Sequence, residues 1–185
     1  LRGMRGGGLG TRGRFLGRGY FNPHSLISVR LFTRQVEEID EGFFLRRISQ
    51  AWKYRHRVYP GQISLRAVYS EADGLPGLIV DRYQDCLAVQ VLTLGMDGQQ
   101  DLILGVLEEL FRPRAIVLRN DAPVRKLEGL ALEKKVNRGN LEEPVNIEED
   151  GLHLRVDLIE GQKTGFFFDQ RENRLRLKRY VSGGG

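Results

Sequence analysis

The sequence predicts an α+β fold: a β-rich start, a small central sheet backed by helices, and a closing hairpin, strand and helix. Three observations predict it. Short apolar runs that alternate with polar residues recur along the chain, as half-buried strands require. Two longer windows instead repeat their apolar residues at spacings of three and four, the period of an amphipathic helix. Between these runs stand Asn-Pro, Pro-Gly and Asp-Gly breakers that only turns accommodate readily.

Eight glycines fall in the first nineteen residues, and Leu1–Gly10 reads as a flexible tail. Arg14–Gly19 and Leu26–Phe32 alternate as short strands, separated by the turn Asn22-Pro23-His24-Ser25. The spacing then predicts a helix over Gly42–Val58, with Phe44, Ile48, Ala51 and Trp52 on one face and Pro60-Gly61 ending it. Strands follow at Leu65–Ser70, Gly77–Tyr83 and Cys86–Leu94, the first two joined by the tight bend Asp73–Gly77. Leu102, Ile103, Val106, Leu107, Leu110 and Phe111 stripe a second helix over Gln99–Phe111, and Ala115–Arg119 is the next strand. Asp150-Gly151 turns a hairpin of Val145–Glu148 and Leu152–Leu158. Thr164–Phe168 reads as a strand running into a basic helix, Gln170–Tyr180. The expected domains are 1–34, 35–144 and 145–185, and the last has too few elements to fold without docking on a neighbour.

Composition narrows the function. Hydrophobic residues are 41% and charged residues 29%, a globular balance. The sequence contains neither a bilayer-length apolar run nor a signal segment, and Cys86 is the only cysteine, so no membrane is expected and a cytoplasmic location fits. The histidines His24, His56 and His153 lack ligand spacing, so no metal is expected. Net charge is +5, unevenly placed: seven arginines and no acid lie between Leu1 and Arg34, and Arg171, Arg174, Arg176, Lys178 and Arg179 close the chain. Two basic ends around a mixed middle point to a phosphate-bearing partner. RNA-facing candidates are Arg14, Arg18, Arg30 and Arg34, with Arg82 and Arg125. For the last two, ion pairs with Asp73 or Glu128 that brace turns are an equal alternative.

The stretch Gly161-Gln162-Lys163-Thr164-Gly165-Phe166-Phe167-Phe168-Asp169-Gln170-Arg171 crowds hydrogen-bonding groups around an aromatic run. A buried strand and a helix capped by Asp169 account for part of it. They do not account for Gln162, Lys163, Thr164, Gln170 and Arg171 together. Cys86, inside an apolar strand, reads as a small core residue rather than a nucleophile.

Gly161–Arg174 resembles the G-Q-K-T-G-F-F-x-D-Q-R-x-N-R segment of the RlmI-like ribosomal RNA methyltransferases, whose best-known members make 5-methylcytosine in large-subunit RNA. Ser70–Tyr83, Arg119–Asp121 with Val124–Leu130, and Phe15–Ile27 are similar to further family segments in the same order. The resemblance implies a PUA domain that grips ribosomal RNA, a central domain, and a Rossmann-like methyltransferase domain of which 145–185 is the N-terminal edge. It implies S-adenosylmethionine as cofactor, met by Lys163, Thr164, Phe167, Asp169 and Arg171, with Phe167 chosen among the phenylalanines because it would share a strand face with Asp169. It further implies thiolate attack on a flipped-out cytosine, methyl transfer and elimination. The family's glycine-rich loop and catalytic cysteine belong downstream of Gly185, so these 185 residues are expected to be inactive by themselves. A non-catalytic RNA-binding module and a related guanine methyltransferase stay open, as does a homodimer.

Overall fold

The computed structural model describes residues 5–9, 13–142 and 144–181. The start is a three-stranded antiparallel sheet, β1 (Arg5–Leu9), β2 (Phe15–Phe21) and β3 (Val29–Thr33), in sequential order. Arg5–Leu9 therefore corrects the flexible reading of that stretch. Its glycines pair in register with β2, Gly6 opposite Gly19 and Gly8 opposite Gly17. On its other side β2 runs close to β3: a Cβ on Gly19 would lie 2.0 Å from the Arg30 carbonyl oxygen. Residues 22–28 form a turn, so β3 begins at Val29 rather than Leu26.

Helix α1 (Glu41–Val58) follows, capped by Asp40, whose carboxylate accepts from the Phe43 amide at 2.8 Å. The central sheet contains β4 (Leu65–Tyr69), β5 (Leu78–Tyr83), β6 (Cys86–Val91), β7 (Ala115–Asn120) and β8 (Glu133–Gly139), side by side in that order. A short helix α2 (Leu94–Asp97) and helix α3 (Gln100–Phe111) cross from β6 to β7, the one parallel pair among these strands. Helix α4 (Val124–Leu127) precedes β8, a strand that lysines and Asn-Arg-Gly hide from an apolar-alternation reading. The chain then forms the hairpin β9 (Val145–Glu149) and β10 (Leu152–Val156) and ends in α5 (Arg171–Val181). Thr164–Phe168 is not a strand. It is a turn that passes through a 3-10 turn at Phe168–Gln170.

Period-two geometry divides the strands of the central sheet between two cores. Leu87, Val89, Val91, Ile116 and Leu118 face α1 and α3, with Phe43, Phe44, Ile48, Leu104 and Leu107. Their neighbours Cys86, Ala88, Ala115 and Val117 face the hairpin and tail, against Val145, Ile147, Val156 and Leu158. β6 and β7 are buried on both faces, so they read as continuous apolar runs. The closing segment thus docks on the central sheet, as its small size requires.

The start sheet joins the first core through an aromatic contact. Tyr20 packs on Phe32 at 5.4 Å between ring centroids, and Phe32 meets Phe43 and Phe44 at 6.1 Å each. Gly95 of α2 makes room for Tyr20, since a Cβ there would sit 1.9 Å from its ring. Beside it lies the buried carboxylate of Glu128. It accepts from Ser25 Oγ at 2.5 Å, Asn22 Nδ2 at 2.9 Å and the Leu94 amide at 3.2 Å, with Arg30 at 3.5 Å. Burial alone would raise its pKa, but the Ser25, Asn22 and Leu94 donors outweigh that and hold it below the usual carboxylate value. Folding therefore favours the ionised form, and its contribution is lost as pH falls through the carboxylate range. Glu128→Gln should cost about 2 kcal/mol in urea unfolding at neutral pH. It should also flatten the fall in stability between about pH 6 and about pH 3, and an unchanged curve would refute this role.

Candidate functional site

The tail is held to the central sheet by buried polar groups. Asp81 of β5 is fully buried and takes a bidentate pair from Arg66, 2.8 Å to Nε and 2.9 Å to a terminal nitrogen. Thr164 donates its hydroxyl to the same carboxylate, and Tyr83 Oη stands 3.2 Å from the Thr164 Oγ1. Burial raises the Tyr83 phenol well above its ordinary value, so it stays protonated. From β7, Arg119 donates to the carbonyls of Leu158 at 2.9 Å and Gly161 at 2.8 Å, while Asp121 neutralises it. Gly161 fits because no side chain could: a Cβ would meet the Asp157 carbonyl at 2.2 Å.

This clamped loop presents its side chains to a cavity of ≈290 Å³ between α1, β4 and the tail. Tyr59, Arg66, Lys163, Phe168, Asp169 and Arg171 line it. Arg171 is nine-tenths buried, pairs with Asp150 through Nε at 2.7 Å, and lies over the Tyr59 ring at 4.2 Å. One of its terminal nitrogens is buried without a hydrogen-bond partner. Lys163, half-exposed, stands 3.4 Å from Asp169 and 4.3 Å above the Phe167 ring. Next to it Arg174 grips Glu149 with two hydrogen bonds, at 2.6 and 2.8 Å, and covers Phe166.

Three of the five expected cofactor residues, Lys163, Asp169 and Arg171, therefore meet around one cavity. Two do not. Thr164 is fully buried, its hydroxyl consumed by Asp81 and Tyr83, so it secures the loop instead of facing a ligand. Phe167 lies under Lys163, and Phe168 lines the cavity in its place, stacked 5.0 Å from Tyr83. Phe167 does not share a strand face with Asp169 because the backbone is not extended: Lys163 and Gly165 take φ of 55° and 120°. Asp169 pairs with Lys163 instead of capping α5.

The expected RNA-facing arginines also separate. Arg14 and Arg34 are exposed. Arg18 pairs with Glu38, and Arg30 bridges Glu71 and Glu128. Arg82 stacks over Trp52 and Phe111 and donates to the Gln84 carbonyl, while Asp73 pairs with Arg55 rather than with it. Arg125, only 4% exposed, grips the Val91 and Ala131 carbonyls and Asp97, not Glu128. It braces the α4 turn and offers nothing to a partner. Arg66, Asp81 and Arg119 were missed as site-building residues; the acids and bases in strands that otherwise read apolar were their signal. Among the described residues no group of three or more His, Cys, Asp or Glu could hold a metal ion, and no helix is long and apolar enough to cross a membrane.

A PUA-like domain model matches residues 9–34. "Ribosomal RNA large subunit methyltransferase I" of Shewanella denitrificans is 42% identical over 175 residues, covering 92% of this chain and 44% of that protein. The protein of the same name from Aliivibrio fischeri is 41% identical over 177 residues, with the same shares. The chain thus spans less than half the length of these curated relatives. Among solved structures, a Streptococcus mutans protein described as a candidate SAM-dependent methyltransferase superposes with a TM-score of 0.77 at 18% identity, over 96% of this chain and 46% of its own. A second candidate methyltransferase, complexed with SAH, gives 0.78 at 18% identity, over 94% and 44%. At that identity these two establish a shared fold.

Two tests address the site's construction. Thr164→Val keeps the shape but leaves Asp81 and the Tyr83 hydroxyl short of a partner, so the urea midpoint should fall by the equivalent of about 1–3 kcal/mol. Cys86 is buried, and burial with the Asp85 carboxylate beside it pushes the thiol up to about 11. At about pH 8 the native chain should therefore resist a thiol-specific disulfide reagent and react only on unfolding; rapid native labelling would contradict this.

Proposed function

We propose that this chain, a homologue of the ribosomal RNA large subunit methyltransferase I proteins over 92% of its length, works within an S-adenosylmethionine-dependent methyltransferase acting on large-subunit ribosomal RNA. The observation that carries the cofactor reading is the cavity where Lys163, Phe168, Asp169 and Arg171 converge. Its donor set suits the group. Lys163 and the incompletely paired Arg171 suit a carboxylate, Asp169 suits an ammonium or ribose hydroxyls, and the Phe168 ring suits an apolar chain or base face. At ≈290 Å³ it lies at the small end of ligand sites, so it holds part of such a molecule. Bound there, S-adenosylmethionine supplies the methyl group, and the residues of this chain orient it and exclude water.

We assign residues 1–34 to RNA binding with Arg14 and Arg34 as exposed contacts, 35–144 to the central scaffold, and 145–185 to the cofactor edge. The PUA-like match supports the first assignment. For the base we favour cytosine C5, in keeping with the motif at Gly161–Arg174, and a cytoplasmic site of action. Thiolate chemistry cannot come from Cys86, which is buried and protonated, so the 185 residues alone should transfer no methyl group by that route. A full-length protein carrying Lys163→Ala and Arg171→Ala should bind SAH on the order of tenfold or more weakly by calorimetry, with methyl transfer to unmodified ribosomal RNA falling in parallel. Wild-type SAH affinity in that double variant would remove the cofactor assignment.

A further inference from the structure

We infer that the outer face of α1 is a second RNA contact, a single-strand track that continues from Arg34 across Arg47 to Tyr54 and Arg57. The inference rests on the reading that the chain binds RNA. Four observations carry it. From Gly42 to Val58 the helix contains no acid. Arg46, Gln50, Lys53 and Arg57, at spacings of four, three and four, form one exposed stripe about 16 Å long. Arg46 shares Glu37 at 2.8 Å yet stays 62% exposed, and among the described residues neither Lys53 nor Arg57 has an acidic partner within 4.0 Å.

Tyr54 stands beside that stripe, 53% exposed, with the guanidinium groups of Arg55 and Arg57 at 5.6 and 5.4 Å from its ring centre. An exposed ring flanked by arginines is a stacking platform for an unpaired base, which a duplex does not offer. Finally, two adjoining grooves of ≈480 and ≈460 Å³ share Arg47. One is lined by Gln50, Tyr54 and Gly74, the other by Thr33, Arg34 and Gln35. Asp73 in the first groove is already neutralised by Arg55 at 2.5 Å. Gly74 closes the turn beside it with a left-handed φ of 67°. Arg47 thus stands between a groove on the segment matched by the PUA-like model and a groove on the helix face. Positive charge, an open ring and two neighbouring grooves fit phosphates and splayed bases.

The test uses fluorescence anisotropy of the 185-residue chain with a labelled unpaired RNA of about twelve nucleotides, across a salt series. Lys53→Glu with Arg57→Glu should weaken binding by on the order of tenfold or more and reduce the slope of log affinity against log salt by about 1.4. Tyr54→Ala should weaken binding about tenfold and leave the slope unchanged. Lys135→Glu with Arg138→Glu on β8, at the opposite edge of the sheet, changes net charge equally and should have little effect. All these side chains are exposed, and unchanged thermal midpoints keep folding out of the comparison. If the β8 pair weakens binding as much as the α1 pair, or if the α1 variants match wild type, the track is refuted while RNA binding stands. Tighter binding to duplex than to single-stranded RNA, with Tyr54→Ala silent, likewise overturns it. A wild-type chain that binds neither RNA overturns the underlying reading as well.

Discussion

The Asp81 carboxylate is the group on which the second half of the structure depends. A fully buried carboxylate is tolerable only when its oxygens are occupied by a cation and good donors. Arg66 supplies the cation from the neighbouring strand β4, and Thr164 supplies the hydroxyl from the tail. The tail is therefore not simply an apolar cover laid over Cys86, Ala88, Ala115 and Val117. It completes a charge cluster that β4 and β5 leave one donor short. Arg119 acts in the same sense from β7, holding the loop by the carbonyls of Leu158 and Gly161. Two strands of the sheet thus fix the loop by its backbone and by one buried hydroxyl. Lys163, Asp169 and Arg171 are left to face the cavity.

Glu128 performs the corresponding task for the start of the chain. Its donors come from the turn at Asn22 and Ser25 and from the Leu94 amide of α2, so one carboxylate joins the β2–β3 turn to the connection after β6. Tyr20 seated on Gly95 adds an apolar contact beside it. The two buried carboxylates secure different partners to one sheet, the first segment through Glu128 and the last through Asp81. The central sheet thereby ties the first and last segments into one framework.

Apolar period was legible in the sequence, and so was the fold wherever period decides it. Gly42–Val58 and Gln99–Phe111 stand within a residue of α1 and α3, and the runs at Leu65, Gly77, Cys86 and Ala115 are β4 to β7. Two strands escaped for opposite reasons. Arg5–Leu9 is glycine-rich yet pairs with β2, a tertiary partner that local composition does not reveal. Glu133–Gly139 is polar because its residues are largely solvated. The motif at Gly161–Arg174 marked a segment that lines a cavity, yet the strand assumed for Thr164–Phe168 turned the phenylalanines the wrong way. Charge was the least legible property. Whether an arginine serves a partner or a carbonyl depends on who stands opposite, and for Arg125 the opposite groups are Val91, Asp97 and Ala131.

Two residues at the edge of the cavity have strained backbones. Lys163 and Asp150 both adopt left-handed φ, 55° and 51°. That conformation costs a non-glycine residue on the order of 1 kcal/mol, and aspartate bears it more easily than lysine. Asp150 is where Arg171 anchors, and Lys163 is where the loop turns its amine toward Asp169 and the cavity. Glycine takes the positive φ at 165, whereas at 163 a lysine does so and its side chain lines the cavity. Arg171 keeps one buried terminal nitrogen without a partner, as Arg30 does at Nε, whereas Arg119 is bonded at all three of its nitrogens. Lys163 and Arg171 both line the one cavity, which is why the proposed cofactor contact is placed there.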